Sequence, residues 1–115
     1  MCNLNQNLSL KTEKITSDII EYIDNHCHEK ITLNMLAERC FYNPSYFSRL
    51  FKDYFGMNLL DYINQKRIEK SCILLKSTNY NIDDICFHVG YSDKTQFYKQ
   101  FKHFTGTTPS HYRVM

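Results

Sequence analysis

Ser45, Ser48, Arg49 and Lys52 fall at positions i, i+3, i+4 and i+7, and Thr95, Tyr98, Lys99 and Lys102 repeat that spacing later in the chain. On a helix this spacing gathers four side chains onto one face. Hydroxyls and long cations so arranged can donate hydrogen bonds to base edges and phosphates from a helix laid in a major groove. Lys94 and Gln96 flank the second set. One such face is also what any solvated helix presents; its recurrence favours recognition. Arg49 is the first choice for base readout, because its planar fork can hold O6 and N7 of a guanine together. Lys99 is a point charge and discriminates less. Lys52 and Lys102, one turn nearer the helix ends, suit phosphates. The first N–H groups of helices opening at Asn58 and Asn81 could do the same.

Other chemistries find little support. No nucleophile–base pair, metal constellation or phosphate loop occurs, so no catalytic residue, cofactor or metal site is assigned. The five cysteines (Cys2, Cys27, Cys40, Cys72 and Cys86) are odd in number, widely spaced and free of any CxxC. Neither a disulfide framework nor a zinc knuckle is indicated. His26-Cys27-His28 invites a metal reading, but adjacent helical residues point in different directions and no second cluster supplies further ligands. Cys40, Cys72 and Cys86 fall at apolar helical positions and read as small buried hydrophobes.

The elements that must position the two faces follow from local signals. Only three Gly and two Pro in 115 residues, with no NG or DG hairpin pair, point to an all-α fold. Residues 12–26 carry Ile15, Ile19, Tyr22, Ile23 and His26 at helical spacing, with His26 at the C-terminal end where the dipole favours it. Thr32 caps a short helix with Leu33, Leu36, Ala37 and Cys40 inward. Asn43 and Pro44 open the next, in which Phe47, Leu50, Phe51 and Tyr54 face the core and Gly56 ends the run. Asn58, with Asp61 as a capping-box partner, starts a long helix from Leu59 to Lys76. Its apolar residues change sides: Leu59, Leu60, Tyr62 and Ile63 near the start, Ile68, Cys72 and Leu75 toward the end. A helix buried on different faces at its two ends is gripped by two lobes. Asn81 caps a further short helix, Gly90-Tyr91-Ser92 turns, Asp93 to Phe104 forms the second reading helix, and Thr108-Pro109 opens a last short one.

The scheme is an internal repeat. Leu33, Leu36, Ala37 and Cys40 return as Ile82, Ile85, Cys86 and Val89. Phe47, Phe51, Lys52, Gly56 and Tyr62 return as Phe97, Phe101, Lys102, Gly106 and Tyr112, with one extra residue in the second turn. The expected architecture is two helix-turn-helix lobes, about seven helices in all. The divisions are a tail over 1–11, an N-terminal lobe over 12–57, a linker helix over 58–76 and a C-terminal lobe over 77–115. Charge is uneven along the chain: residues 1–40 carry four basic and six acidic groups, the remainder ten and six. A polyanionic partner suits the later part.

Asn43-Pro44-Ser45-Tyr46-Phe47-Ser48-Arg49-Leu50-Phe51-Lys52 followed by Gly56 resembles the first helix-turn-helix of the AraC/XylS family of bacterial transcription regulators. Val89-Gly90-Tyr91-Ser92-Asp93, Gln96-Phe97, Phe101-Lys102, Gly106, Thr108-Pro109 and Tyr112-Arg113 resemble its C-terminal signature. The likeness spans about Ile15 to Arg113. It implies two recognition helices entering successive major-groove segments of double-stranded DNA, and promoter activation through contact with RNA polymerase. By position it assigns Ser45, Ser48 and Arg49 in the first unit, and Lys94, Thr95, Gln96, Tyr98 and Lys99 in the second. Cys86 stands where the family commonly has Ala. The separate effector-binding or dimerisation domain usual in the family has no counterpart among these residues. The chain then reads either as a small stand-alone regulator or, as the linker-like Asn-rich opening favours, as a monomeric DNA-binding piece of a longer protein that carries an effector, receiver or dimerisation domain. No apolar run is long enough to span a bilayer and residues 1–10 lack a signal-peptide core, so a cytoplasmic address is expected and no membrane partner. Two rivals stay open: a protein-interaction adaptor, and a thiol sensor using Cys2 or Cys27.

Overall fold

The computed structural model describes residues 16–115. The expected tail, the opening of the first helix through Ile15, and Cys2 lie outside them. Among the described residues the fold is all-helical. α1 occupies 16–26 and is followed by α2 (Leu33–Arg39), α3 (Pro44–Phe55), α4 (Leu59–Ser77), α5 (Ile82–His88), α6 (Lys94–Thr105) and α7 (Pro109–Val114).

Capping sets the starts. Thr32, Asn43, Asn58, Asn81, Asp93 and Thr108 each accept a hydrogen bond from a backbone N–H two or three residues on, at 2.7–3.2 Å for the best bond of each. Such caps satisfy donors that the first turn leaves without intrahelical partners. α3 and α6 close alike, with the N–H of Gly56 and Gly106 donating to the carbonyls of Lys52 and Lys102.

Two separate cores form. The first gathers Ile19, Ile23, Cys27, Leu36, Ala37, Phe47 and Phe51 with Leu59 and Ile63 of α4. The second gathers Ile85, Cys86, Val89, Tyr91, Phe97 and Phe101 with Ile68 and Leu75 of the same helix. α4 thus closes the first lobe and opens the second. The duplication extends to ring geometry: Tyr62 meets Phe51 edge-on at 5.6 Å and 79°, and Tyr112 meets Phe101 at 5.7 Å and 80°. Burying each such Phe contributes roughly 1.5–3 kcal/mol.

Two inward assignments are corrected. Tyr54 is 53% exposed, and Phe55 takes its place, stacked on Phe51 at 4.2 Å. Phe47, Phe51 and Phe55 follow a spacing of four, which rotates Tyr54 off the core stripe in the last turn. Leu60 is 68% exposed because Leu59 and Ile63, at i and i+4, already fill the inward row.

The lobes meet at the middle of α4. Arg67 donates through Nε to the Cys27 carbonyl at 2.6 Å and through Nη2 to the Glu29 carbonyl at 3.0 Å. Its guanidinium lies 5.2 Å from the Tyr91 ring centroid. The Tyr91 hydroxyl donates to Oδ1 of buried Asn64 at 2.6 Å. Burial pushes the Tyr91 phenol well up. Gly90 has φ 113, and a Cβ there would sit 2.9 Å from the His28 backbone and 3.0 Å from Arg67 Nε. Only Gly tolerates both the conformation and the approach.

Candidate nucleic-acid interface

α3 and α6 divide cleanly into faces. Phe47 and Phe51, and Phe97 and Phe101, are buried, whereas all ten expected reading residues are exposed: Ser45, Ser48, Arg49 and Lys52 on α3, and Lys94, Thr95, Gln96, Tyr98, Lys99 and Lys102 on α6. The caps at Asn43 and Asp93 start the two helices at equivalent points and so give the two faces the same register. Among the described residues the structure gathers the α3 set on one face and the α6 set on another, one face per lobe.

The charges on these faces are available. Among the described residues most cations elsewhere, Lys30 apart, are engaged within the molecule. Arg39 lies over Tyr22, Lys66 pairs with Glu69, and Arg67 and Lys70 donate to carbonyls near the end of α1. Lys76 and Arg113 donate to carbonyls at the α4–α7 contact. Arg49, Lys52, Lys99 and Lys102 make no ion pair or side-chain hydrogen bond among the described residues. Among the described residues, uncommitted cations therefore concentrate on two exposed helix faces.

Two members of the second set are constrained. Lys94 Nζ lies 2.7 Å from Asp83 Oδ2 on α5, and that hydrogen bond raises the lysine pKa. Tyr98 is 38% exposed, with its ring 5.8 Å from Phe97, so it leans partly on the core. Asn81 opens α5 just ahead of Asp83 and Asp84. Those carboxylates occupy the positive end of the helix and disfavour a phosphate there.

Among the described residues the cysteines and histidines do not gather into a metal site. Cys27 is fully buried in the first core, which removes it as an oxidant-accessible sensor. His26 stacks on Tyr22 at 4.4 Å and places Nδ1 2.6 Å from Glu29. Burial pushes the thiols of Cys40, Cys72 and Cys86 up, away from the reactive thiolate form. Sequence reading missed the Asn64–Arg67–Tyr91 junction. Its only local trace is a pair of polar residues one helical turn apart at the point where the apolar row of α4 changes sides.

A family model described as "Helix-turn-helix domain" matches residues 36–115. The C-terminal domain of AraT, a response regulator from Geobacillus stearothermophilus, is 33% identical with a TM-score of 0.81, over 87% of this chain and 84% of that one. The chain belongs to the AraC/XylS family. It is a DNA-binding domain of the transcription-regulator class. A transcriptional regulator from Chromobacterium violaceum, described by its AraC-type DNA-binding domain, shares the fold at 21% identity and a TM-score of 0.78, over 95% of this chain and 94% of that one. The bifunctional transcriptional activator/DNA repair enzyme AdaA of Bacillus subtilis is 40% identical over 97 residues, 84% of this chain and 46% of that protein. The chain spans under half the length of the curated relatives it matches, 46% of AdaA and 14% of several staphylococcal regulators. No helix among the described residues is long and apolar enough to cross a membrane.

Proposed function

We infer that this AraC/XylS-family domain reads an asymmetric site on double-stranded DNA by laying α3 and α6 in adjacent major-groove segments. The observation that carries this reading is the concentration of uncommitted cations on the two exposed helix faces. Arg49 reads guanine; Lys99 contributes a less selective charge; Ser45, Ser48, Thr95 and Gln96 reach bases or phosphates. Lys52 and Lys102 grip phosphates, and Lys94 and Tyr98 act from the edge of the α6 face. The roughly 28 Å rod of α4 carries both readers; it is shorter than the roughly 34 Å repeat of B-DNA, so a bend in the duplex would help both helices enter adjacent major-groove segments. Within a longer chain the domain activates promoters in the cytoplasm through contact with RNA polymerase, under a second domain that senses an effector or receives a signal. Its working units are the lobes over 12–57 and 77–115, joined by 58–76.

Selection from a random duplex library tests the DNA reading. The expected product is a pair of unlike half-elements about one helical turn apart. Enrichment of a single element, or of none, would overturn it.

A further inference from the structure

We propose that Arg67 is a positioning residue that sets the spacing and rotational phase of the two DNA half-elements, an inference that rests on the two-reader function above. A shared helix fixes how far apart two lobes stand. Core packing on Leu59 and Ile63 and on Ile68 and Leu75 sets roughly how each lobe rolls around the helix axis, but the apolar driving force itself is not directional. Directional restraint comes from hydrogen bonds and from close backbone contact.

Both converge on Arg67. Its Nε and Nη2 hold two carbonyls of the first lobe, Cys27 at 2.6 Å and Glu29 at 3.0 Å, in the turn that leaves α1. Carbonyls at a helix end lack intrahelical donors and carry the negative end of the dipole, so a guanidinium suits them. The same guanidinium stands 5.2 Å from the ring of Tyr91, in the turn that aims α6. Tyr91 is anchored in turn to Asn64, one helical turn before Arg67. Gly90 brings that turn against the His28 backbone, so that the lobes touch beside the arginine. Among the described residues Lys66 and Lys70 make ion-pair and hydrogen-bond contact with the first lobe at Asp24. Arg67 has partners in both lobes.

The orientation so fixed has a reading on DNA. Inserting one base pair between half-elements moves the second by about 3.4 Å and turns it by roughly 35°. A locked pair of lobes rejects that change, and a loosened pair follows it.

The test uses the full chain, the selected duplex, and versions with one or two base pairs inserted or removed between its half-elements. Wild type loses about tenfold or more in affinity for each one-base-pair change. Arg67→Met keeps contact with each half-element but narrows that ratio to about threefold or less. Arg67→Lys retains the charge and one donor, and falls between the two. It also carries the test if Arg67→Met fails to fold, as judged by circular dichroism. Equal loss across all spacings in both variants, with the wild-type ratio kept, would show a merely structural role and overturn the proposal. If wild type itself selects no paired element, the two-reader function fails and the proposal falls with it. That outcome is distinct, because it appears before any variant is made.

Discussion

The two lobes are built to one plan and differ where they meet the outside. Phe51 with Tyr62 and Phe101 with Tyr112 share a ring geometry to within about a degree, and Gly56 and Gly106 close their helices with nearly the same φ. The outward faces diverge. α3 presents one arginine and one lysine beside two serines; α6 presents three lysines, of which one is held by Asp83. The turns diverge as well. The first places Phe41 in the left-handed region at φ 62 and 95% exposed; the second uses Gly90, pressed against the other lobe. The interiors match while the faces and turns differ; on the proposed function the first lobe serves base discrimination and the second grip and alignment.

Breaking the shared interior gives the largest effect. Phe47→Ala and Phe97→Ala, each in a fully packed core, should cost about 3–5 kcal/mol in urea denaturation. A cost below about 1 kcal/mol for either would mean that the cores are not equivalent. Next comes the difference between the faces. Arg49→Ala should weaken specific binding by roughly 1–3 kcal/mol and relax one base preference, measured by titration against base variants of the selected site. Lys102→Ala should weaken every sequence evenly and flatten the slope of log affinity against log salt by about one unit. Arg49→Ala behaving like Lys102→Ala would erase the proposed division of labour. The smallest effect belongs to the turns. Phe41→Gly should stabilise by about 1 kcal/mol by relieving a left-handed backbone, seen as a raised midpoint in thermal melting. Gly90→Ala should destabilise in the same assay.

Much of this was legible in the chain because it is local. A cap and the N–H it serves lie two or three residues apart, and a core row recurs every three or four. The starts of six helices, the repeat and the two outward faces therefore follow from the order of residues. Tyr54 was misplaced because the last turn of α3 offers two aromatic neighbours, and only packing decides that Phe55 goes in. In the second lobe the equivalent pair is Phe104 and Thr105, and there it is Phe104 that packs while the Thr105 hydroxyl donates to the Phe101 carbonyl at 2.7 Å. The Lys94–Asp83 pair and the Arg67 junction were invisible for a different reason. Their partners sit on other elements, up to 40 positions away, and no periodicity announces a hydrogen bond across that distance.

One wall common to two compartments ties their fates together. If the first half melts, the flank of α4 bearing Leu59 and Ile63 is bared to water and the rod frays from that end; the second half then loses the support on which Ile68 and Leu75 are seated. Heat or denaturant should therefore remove both halves in a single transition, and amide protection along 59–77 should be lost as a block and not in two steps.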